Sequence, residues 1–316
     1  MAIDIKKNIT FVIKIIVTIT IFWLLFNSID LSTVLESLKN VQKNYIFAVF
    51  CILLVQVLVA SFRWKTILFH INIIASPREI LKILWIGLFF NQVLPSSFGG
   101  DAFRGYYLYK KDNTIGDAVM SVILDRMIGF ISLVLFVIAT LFLALGIVNE
   151  PIARLGVLTI SIGATLAVFF VLSLDLLTQN FLPIKLFKGL YSLAIQGRGL
   201  VFTISPGIKL LVTGVLIHSL TFIVYILLSI SMNLDVNLFQ FAIILPVLSL
   251  LTVVPISLAG WGIREGVMVI GLGYLGVLPE DAFALSILYG ILLFIASLPG
   301  MFIWLFNGKL RVHKVN

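Results

Sequence analysis

The chain has 316 residues, of which 61% are hydrophobic and 11% charged, and it carries a formal net charge of +8; its mean hydropathy is +1.17. A chain this apolar is excluded from the water-soluble class, which leaves a polytopic membrane protein. The basic balance reads as membrane topology, not nucleic-acid binding, because the charges cluster at the ends of apolar runs. A single cysteine, Cys51, excludes an intrachain disulfide or a Cys-based metal site.

The first apolar run, Phe11 to Phe26, follows Lys6 and Lys7, contains Lys14 and lacks a small-residue cleavage site, so it reads as a retained anchor. Six runs match the thickness of a ~30 Å hydrocarbon core: roughly 9–29, 45–62, 118–147, 155–175, 210–232 and 283–306. Two more, about 80–103 and 238–278, are interrupted by Pro, Gly and charge. Residues 30–44 space Leu31, Val34, Leu35 and Leu38 as on a helix among charges, predicting a segment on the outer interface. The longest connection, 176–208, mixes apolar residues with Lys185, Lys188 and Arg198. Neither segment can fold as a soluble catalytic domain.

The basic residues decide how the broken stretches run. With both termini cytoplasmic and each broken stretch entering and leaving by one face, all 22 Lys and Arg except Lys39, Lys43, Arg154 and Arg264 fall at the cytoplasmic side. Counting the stretches as full crossings moves Arg104, Lys110, Lys111, Arg126, Lys185, Lys188, Arg198 and Lys209 outside. The expected fold is therefore all-α: six full spans plus two re-entrant hairpins, in two repeats, 1–148 and 149–316. Each repeat has an odd number of spans, so the second is inverted, a plan found in many secondary transporters.

The two breaks also resemble each other. Pro95-Ser96-Ser97-Phe98-Gly99-Gly100-Asp101-Ala102-Phe103-Arg104 recurs as Pro255-Ile256-Ser257-Leu258-Ala259-Gly260-Trp261-Gly262-Ile263-Arg264. Proline ends an incoming helix, Ser97 or Ser257 can cap a new half-helix, and Gly100 and Gly260 permit close backbone approach. A half-helix N-terminus in the membrane offers unpaired N–H groups to an anion, and Arg104 and Arg264 add a fork matched to phosphate. Both arginines are expected to grip one phosphate.

Arg264 has Glu265 beside it and no charge before it as far back as Asp235, which places it facing a cavity. Asp101 is suited to a hydrogen bond, an arginine partner or a coupled proton. Asp125 and Arg126 read equally as an interfacial salt bridge or as substrate contacts. His218 and Gln56 read as packing groups that hydrogen-bond between helices. No HExxH, Walker loop, Rossmann glycine pattern or Cys/His cluster occurs, so no metal or nucleotide cofactor is expected.

At Asn91 to Arg104, at Asp125-Arg126-Met127-Ile128-Gly129 and at Gly260-Trp261-Gly262-Ile263-Arg264-Glu265-Gly266, the chain resembles the lysylphosphatidylglycerol synthase transmembrane-region family, whose members are also called flippase-like membrane proteins. The resemblance covers nearly the whole chain. It implies movement of a phospholipid or polyprenyl-phosphate-linked lipid between leaflets of the cell membrane, with importance carried onto Asp101, Arg104, Asp125, Arg126, Arg264 and Glu265. Full-length lysyltransferases add a soluble aminoacyl-tRNA-using domain, and other relatives a glycosyltransferase domain; this sequence ends at Asn316 without either. Synthase activity is thus not expected to carry over. The expected partner is an anionic or zwitterionic lipid moved by alternating access. The rivals are a membrane-embedded lysyl- or glycosyl-type transferase and a subunit that recruits a separate synthase or glycosyltransferase.

Overall fold

The computed structural model describes residues 2–94, 98–109, 114–174, 185–253, 257 and 260–307, with the side chains of 2–14, 185–188, 190 and 307 left aside. The described residues form helices and connections, with no strand. Twelve helices follow in order: α1 (Ala2–Ser28), α2 (Leu31–Lys39), α3 (Lys43–His70), α4 (Pro77–Val93), α5 (Gly99–Tyr109), α6 (Ile115–Ile147), α7 (Pro151–Ser173), α8 (Lys185–Phe202), α9 (Ile204–Ser231), α10 (Leu238–Thr252), α11 (Ile263–Gly273) and α12 (Pro279–Asn307). Helix is the solution lipid imposes, because each backbone N–H and C=O must find its partner within the segment.

Among the described residues, five helices are long and apolar enough to cross a membrane: α3, α6, α7, α9 and α12. A sixth candidate is the pair made by Ile15–Ser28 of α1 and α2, which is bent by 87°. Asp30 produces that bend by capping α2: its Oδ1 accepts from the Ser32 N–H at 2.8 Å. α2 is amphipathic as expected, with Val34 buried and Leu31 and Leu35 exposed.

The two broken stretches are helix–break–helix units. α4 has 17 residues and α5 has 11; α10 has 15 and α11 has 11. All are shorter than the ~20 residues of a full span. α4 is longer than a half-depth arm because its first turn is polar: the Ser76 hydroxyl accepts from the Glu79 N–H, and the Glu79 carboxylate accepts from the Ser76 N–H. α4 and α5 pack so closely that a Cβ on Gly100 would overlap the Gly87 carbonyl.

The packing partners follow a pattern. α3 lies on α9; α4 lies on α12 and α10 on α6; α5 lies on α6 and α11 on α12; α3 also touches α4 and α6, as α9 touches α10 and α12. Exchanging α3 with α9, α4 with α10, α5 with α11 and α6 with α12 maps the α3–α9 pair onto itself and each of the others onto another of the set. Gln56 ties the central α3–α9 contact, donating to Ile217 O at 3.0 Å and Thr221 Oγ1 at 2.8 Å. His218 Nε2 meets Gly129 O at 2.9 Å, joining α9 to α6. Both are the interhelical groups their sequence context implied.

Candidate functional site

Two buried charged clusters stand out, one on each broken unit. In the first, Asp101 and Asp125 each lie between two guanidiniums. Asp101 accepts from Arg104 Nη1 at 3.3 Å and from Arg126 Nε at 2.7 Å. Asp125 accepts from Arg63 Nε at 2.8 Å and from Arg104 Nη2 at 2.7 Å. The chain of contacts therefore runs from α3 through α6 to α5 and back to α6. Removing charge from lipid is costly unless it is paired, and here each carboxylate has two partners. The Arg104 guanidinium also stacks over Trp64, 4.2 Å from the ring centroid, while its Nε is buried without a hydrogen-bond partner. Asn91 Oδ1 accepts from the Gly100 N–H at 2.9 Å, which occupies a donor at the start of α5.

The cluster does not close on itself. Arg126 is 51% exposed while its partner Asp101 is 6% exposed, and both line a cavity of about 590 Å³ between α5 and α6. Its other walls are apolar or aromatic, among them Phe98, Tyr106, Val119 and Val122. An apolar slot with an ion pair in its wall matches an amphiphile with a charged head.

The second cluster is built differently. Glu265 is fully buried, and both its oxygens are engaged. Oε1 accepts from Arg264 Nη2 at 2.6 Å, Arg264 Nε at 2.9 Å and the Ser286 hydroxyl at 3.2 Å; Oε2 accepts from the Gly262 N–H at 2.6 Å. Glu265 thus caps its own helix, taking the place at the α11 N-terminus that an external anion would need. Trp261 and Tyr289 flank the Arg264 guanidinium, at 4.6 and 5.7 Å from their ring centroids.

The two arginines have separate charge partners: Arg104 pairs with Asp101 and Asp125, and Arg264 with Glu265. A Cβ on Gly290 of α12 would strike the Arg264 guanidinium, whereas α4 crosses α12 at Gly300 and holds Arg104 against Gly87. The equal offset of the two arginines from their prolines also hides unequal geometry: Arg104 is the sixth residue of α5, but Arg264 is the second of α11. Gly260 and Gly262, at φ +84° and +88°, delay the start of α11. Gly260 is therefore needed for its conformation, since a Cβ there meets nothing within 4 Å, while Gly100 is needed for close approach. Ser257 is buried with its hydroxyl unpartnered, and Ser97 lies outside the described residues.

Sequence reasoning brought Asp101, Arg104, Asp125 and Arg126 to attention but missed Arg63, which lies just past the expected span 45–62. Arg63 lies inside α3 with an 11% exposed side chain. Trp64, Ser286 and Tyr289 were missed as well; the only signal was the Arg63-Trp64 pair interrupting an apolar run.

An all-helical chain with five to six candidate spans and charged clusters buried between them is an integral, multi-pass membrane protein. It belongs to the lysylphosphatidylglycerol synthase TM region family, whose model matches residues 11–300. It is similar to two UPF0104 membrane proteins of Methanocaldococcus jannaschii. One is 32% identical over 115 residues, covering 35% of this chain and about a third (34%) of that protein's length. The other is 28% identical over 220 residues, 65% of this chain and 88% of that protein.

Proposed function

We propose that the protein moves a phosphate-bearing lipid between the leaflets of the cell membrane, and that the slot between α5 and α6 is where that lipid docks. The observation that carries this reading is the joining of the two parts of an amphiphile site: an apolar slot and, in its wall, the half-exposed Arg126 paired with Asp101. The phosphate exchanges with Asp101 for the Arg126 guanidinium, a planar fork suited to phosphate oxygens. One acyl chain lies along the slot and the remainder stays in the bilayer. The second hairpin holds its helix by the Arg264–Glu265 lock and acts as a rigid counterpart.

The corresponding packing pairs support a plan of two repeats inserted upside down to each other, which suits alternating access. In this plan both termini are cytoplasmic. Single cysteines in a Cys51→Ser background test it: Ile74→Cys and Thr114→Cys, flanking the first hairpin, should react with impermeant thiol reagents from the cytoplasmic face alone. Asp235→Cys and Leu278→Cys should react only from the other face. Labelling of the first pair from opposite faces contradicts the hairpin plan.

The function is tested by reconstituting the purified chain in liposomes and following lipids of several head groups with a leaflet-resolved assay. Flipping without chemical turnover is the expected result. Formation of a modified lipid would instead support the transferase reading, and neither flipping nor turnover would support a subunit that recruits a separate synthase or glycosyltransferase.

A further inference from the structure

The slot between α5 and α6 has a counterpart on the second broken unit, and α1 covers it. Ala102 and Tyr106, two residues before and two after Arg104, line the slot; at the same offsets from Arg264 stand Gly262 and Gly266. The two arginines face equivalent helices. Arg104 stacks over Trp64 of α3 and pairs with Asp125 of α6, while Arg264 lies against Tyr289 of α12, whose ring centroid is 4.3 Å from that of Tyr225 of α9. Gly262 and Gly266 therefore take the place of the slot wall. They meet α1 there: a Cβ on Gly262 would lie 3.5 Å from Ile21 Cβ and 3.6 Å from Thr18 O, and one on Gly266 would lie 3.8 Å from Ile21 Cγ2. The two glycines leave a groove in α11, and Ile21 is seated in it.

α1 is attached to this groove as a lid is. Its outward side presents Ile16, Ile19, Trp23 and Leu24, each more than half exposed, as on a helix that faces lipid. One end is held. Leu25 and Ile29 are buried in the core, Phe26 meets Phe283 of α12 edge-on at 6.1 Å, and the chain then bends by 87° into α2. α2 is pinned to α12 by the Ser37 hydroxyl, which donates to Asp281 Oδ1 at 2.7 Å. The helix in the same place of the second half, α7, packs instead on α6, α8 and α10, and the slot's lining comes from α5, α6 and Phe98. One groove is thus covered and the other open.

The covered groove is apolar where the slot is charged. Trp261 stands where the slot has Asp101, and Arg264 and Glu265 satisfy each other. Helices in a bilayer are not held together by the hydrophobic effect, because lipid tails are as apolar as their side chains. An acyl chain can therefore replace Ile21 on the two glycines, like for like. We propose that the face of α11 at Gly262 and Gly266 is a second acyl-chain groove, in the leaflet opposite the slot, and that α1 is its lid, swinging about the bend between Ser28 and Leu31. The inference rests on the lipid-transport reading and gives the lipid its second opening to the bilayer.

Two measurements test it, both in a Cys51→Ser background. In the first, Ile21→Cys and Gly266→Cys are combined, the smaller side chain on α1 making room for the new one on α11, and the thiols are joined by a short, reducible bis-methanethiosulfonate. Linkage is confirmed by mass spectrometry of the joined peptides. The unlinked protein should melt and flip lipid like the parent; the linked protein should flip at least about tenfold more slowly, as when a lid step is blocked, and reductant should restore the rate. In the second, nitroxide labels on Trp23→Cys and Ile270→Cys, both exposed positions on α1 and α11, report the distance between the helices in phosphatidylethanolamine–phosphatidylglycerol liposomes by pulsed electron resonance. Two populations are expected, closed and open. A linked protein that flips at the unlinked rate, failure of the two thiols to link, or a single narrow distance would overturn the lid. A parent chain that flips no lipid yet shows both distances would sink the transport reading and leave the lid standing; flipping with one fixed distance would do the reverse.

Discussion

The two broken helical units use similar residues for opposite ends. On the first, two carboxylates and three arginines spread over α3, α5 and α6, and the last arginine reaches an open slot. On the second, Arg264 and its neighbour Glu265 satisfy each other and cap α11. The difference teaches that a buried arginine in a membrane is not by itself a ligand site. What separates a site from a lock is whether a charge partner is shared with a cavity or consumed by the helix end.

The largest effects should come from stripping either cluster of its carboxylate. Asp125→Ala strands Arg63 and leaves Arg104 with Asp101 as its one carboxylate, and Glu265→Ala strands Arg264 and uncaps α11, so each should cost about 3–5 kcal/mol. Thermal melting in detergent would show large losses for both. Normal melting of either variant would break the view that its cluster holds the fold together. Glu265→Gln should lose less, because the amide oxygen still caps Gly262.

Backbone substitutions sharpen the contrast further. Gly100→Ala forces α5 away from Gly87 and should cost about 1–3 kcal/mol or more. Gly260→Ala meets no neighbour but must hold a left-handed conformation, which should cost about 1–2 kcal/mol. Gly105→Ala has open space within α5 and should be neutral or stabilising by up to ~1 kcal/mol. The same melting series checks all three; a Gly260→Ala variant as stable as the parent would remove the reason for the delayed start of α11.

Much of this fold can be read from the sequence because turn residues inside apolar runs have few other uses. Ser76-Pro77 with Glu79, and the Gly99-Gly100 and Gly260–Gly262 breaks, mark where α4, α5 and α11 begin. The charge network is less legible. Asp101 meets Arg126, and Asp125 meets Arg63, across separations that no local pattern encodes. The repeat itself hides a difference at Arg104 and Arg264: their offsets agree, but the positive-φ glycines shift one helix start, and each arginine has its own carboxylate partners. Glu265, three residues after Gly262, has the spacing of a cap. That spacing is hard to recognise when the N-cap residue is a glycine with no side chain.

The smallest structural change in this set probes the central claim most directly: Arg126→Gln, reconstituted in liposomes and followed by the leaflet-resolved assay beside Arg126→Lys. Arg126 is half exposed, and Asp101 keeps Arg104, so the variant should melt close to the parent. Its flipping rate should nevertheless fall at least about tenfold, as expected when a charge-assisted contact to phosphate is lost. Arg126→Lys should recover part of that rate, because it keeps the charge without the planar fork. A well-folded Arg126→Gln protein that flips phosphate-bearing lipid at the full rate would contradict the assignment of the first hairpin's slot as the lipid site.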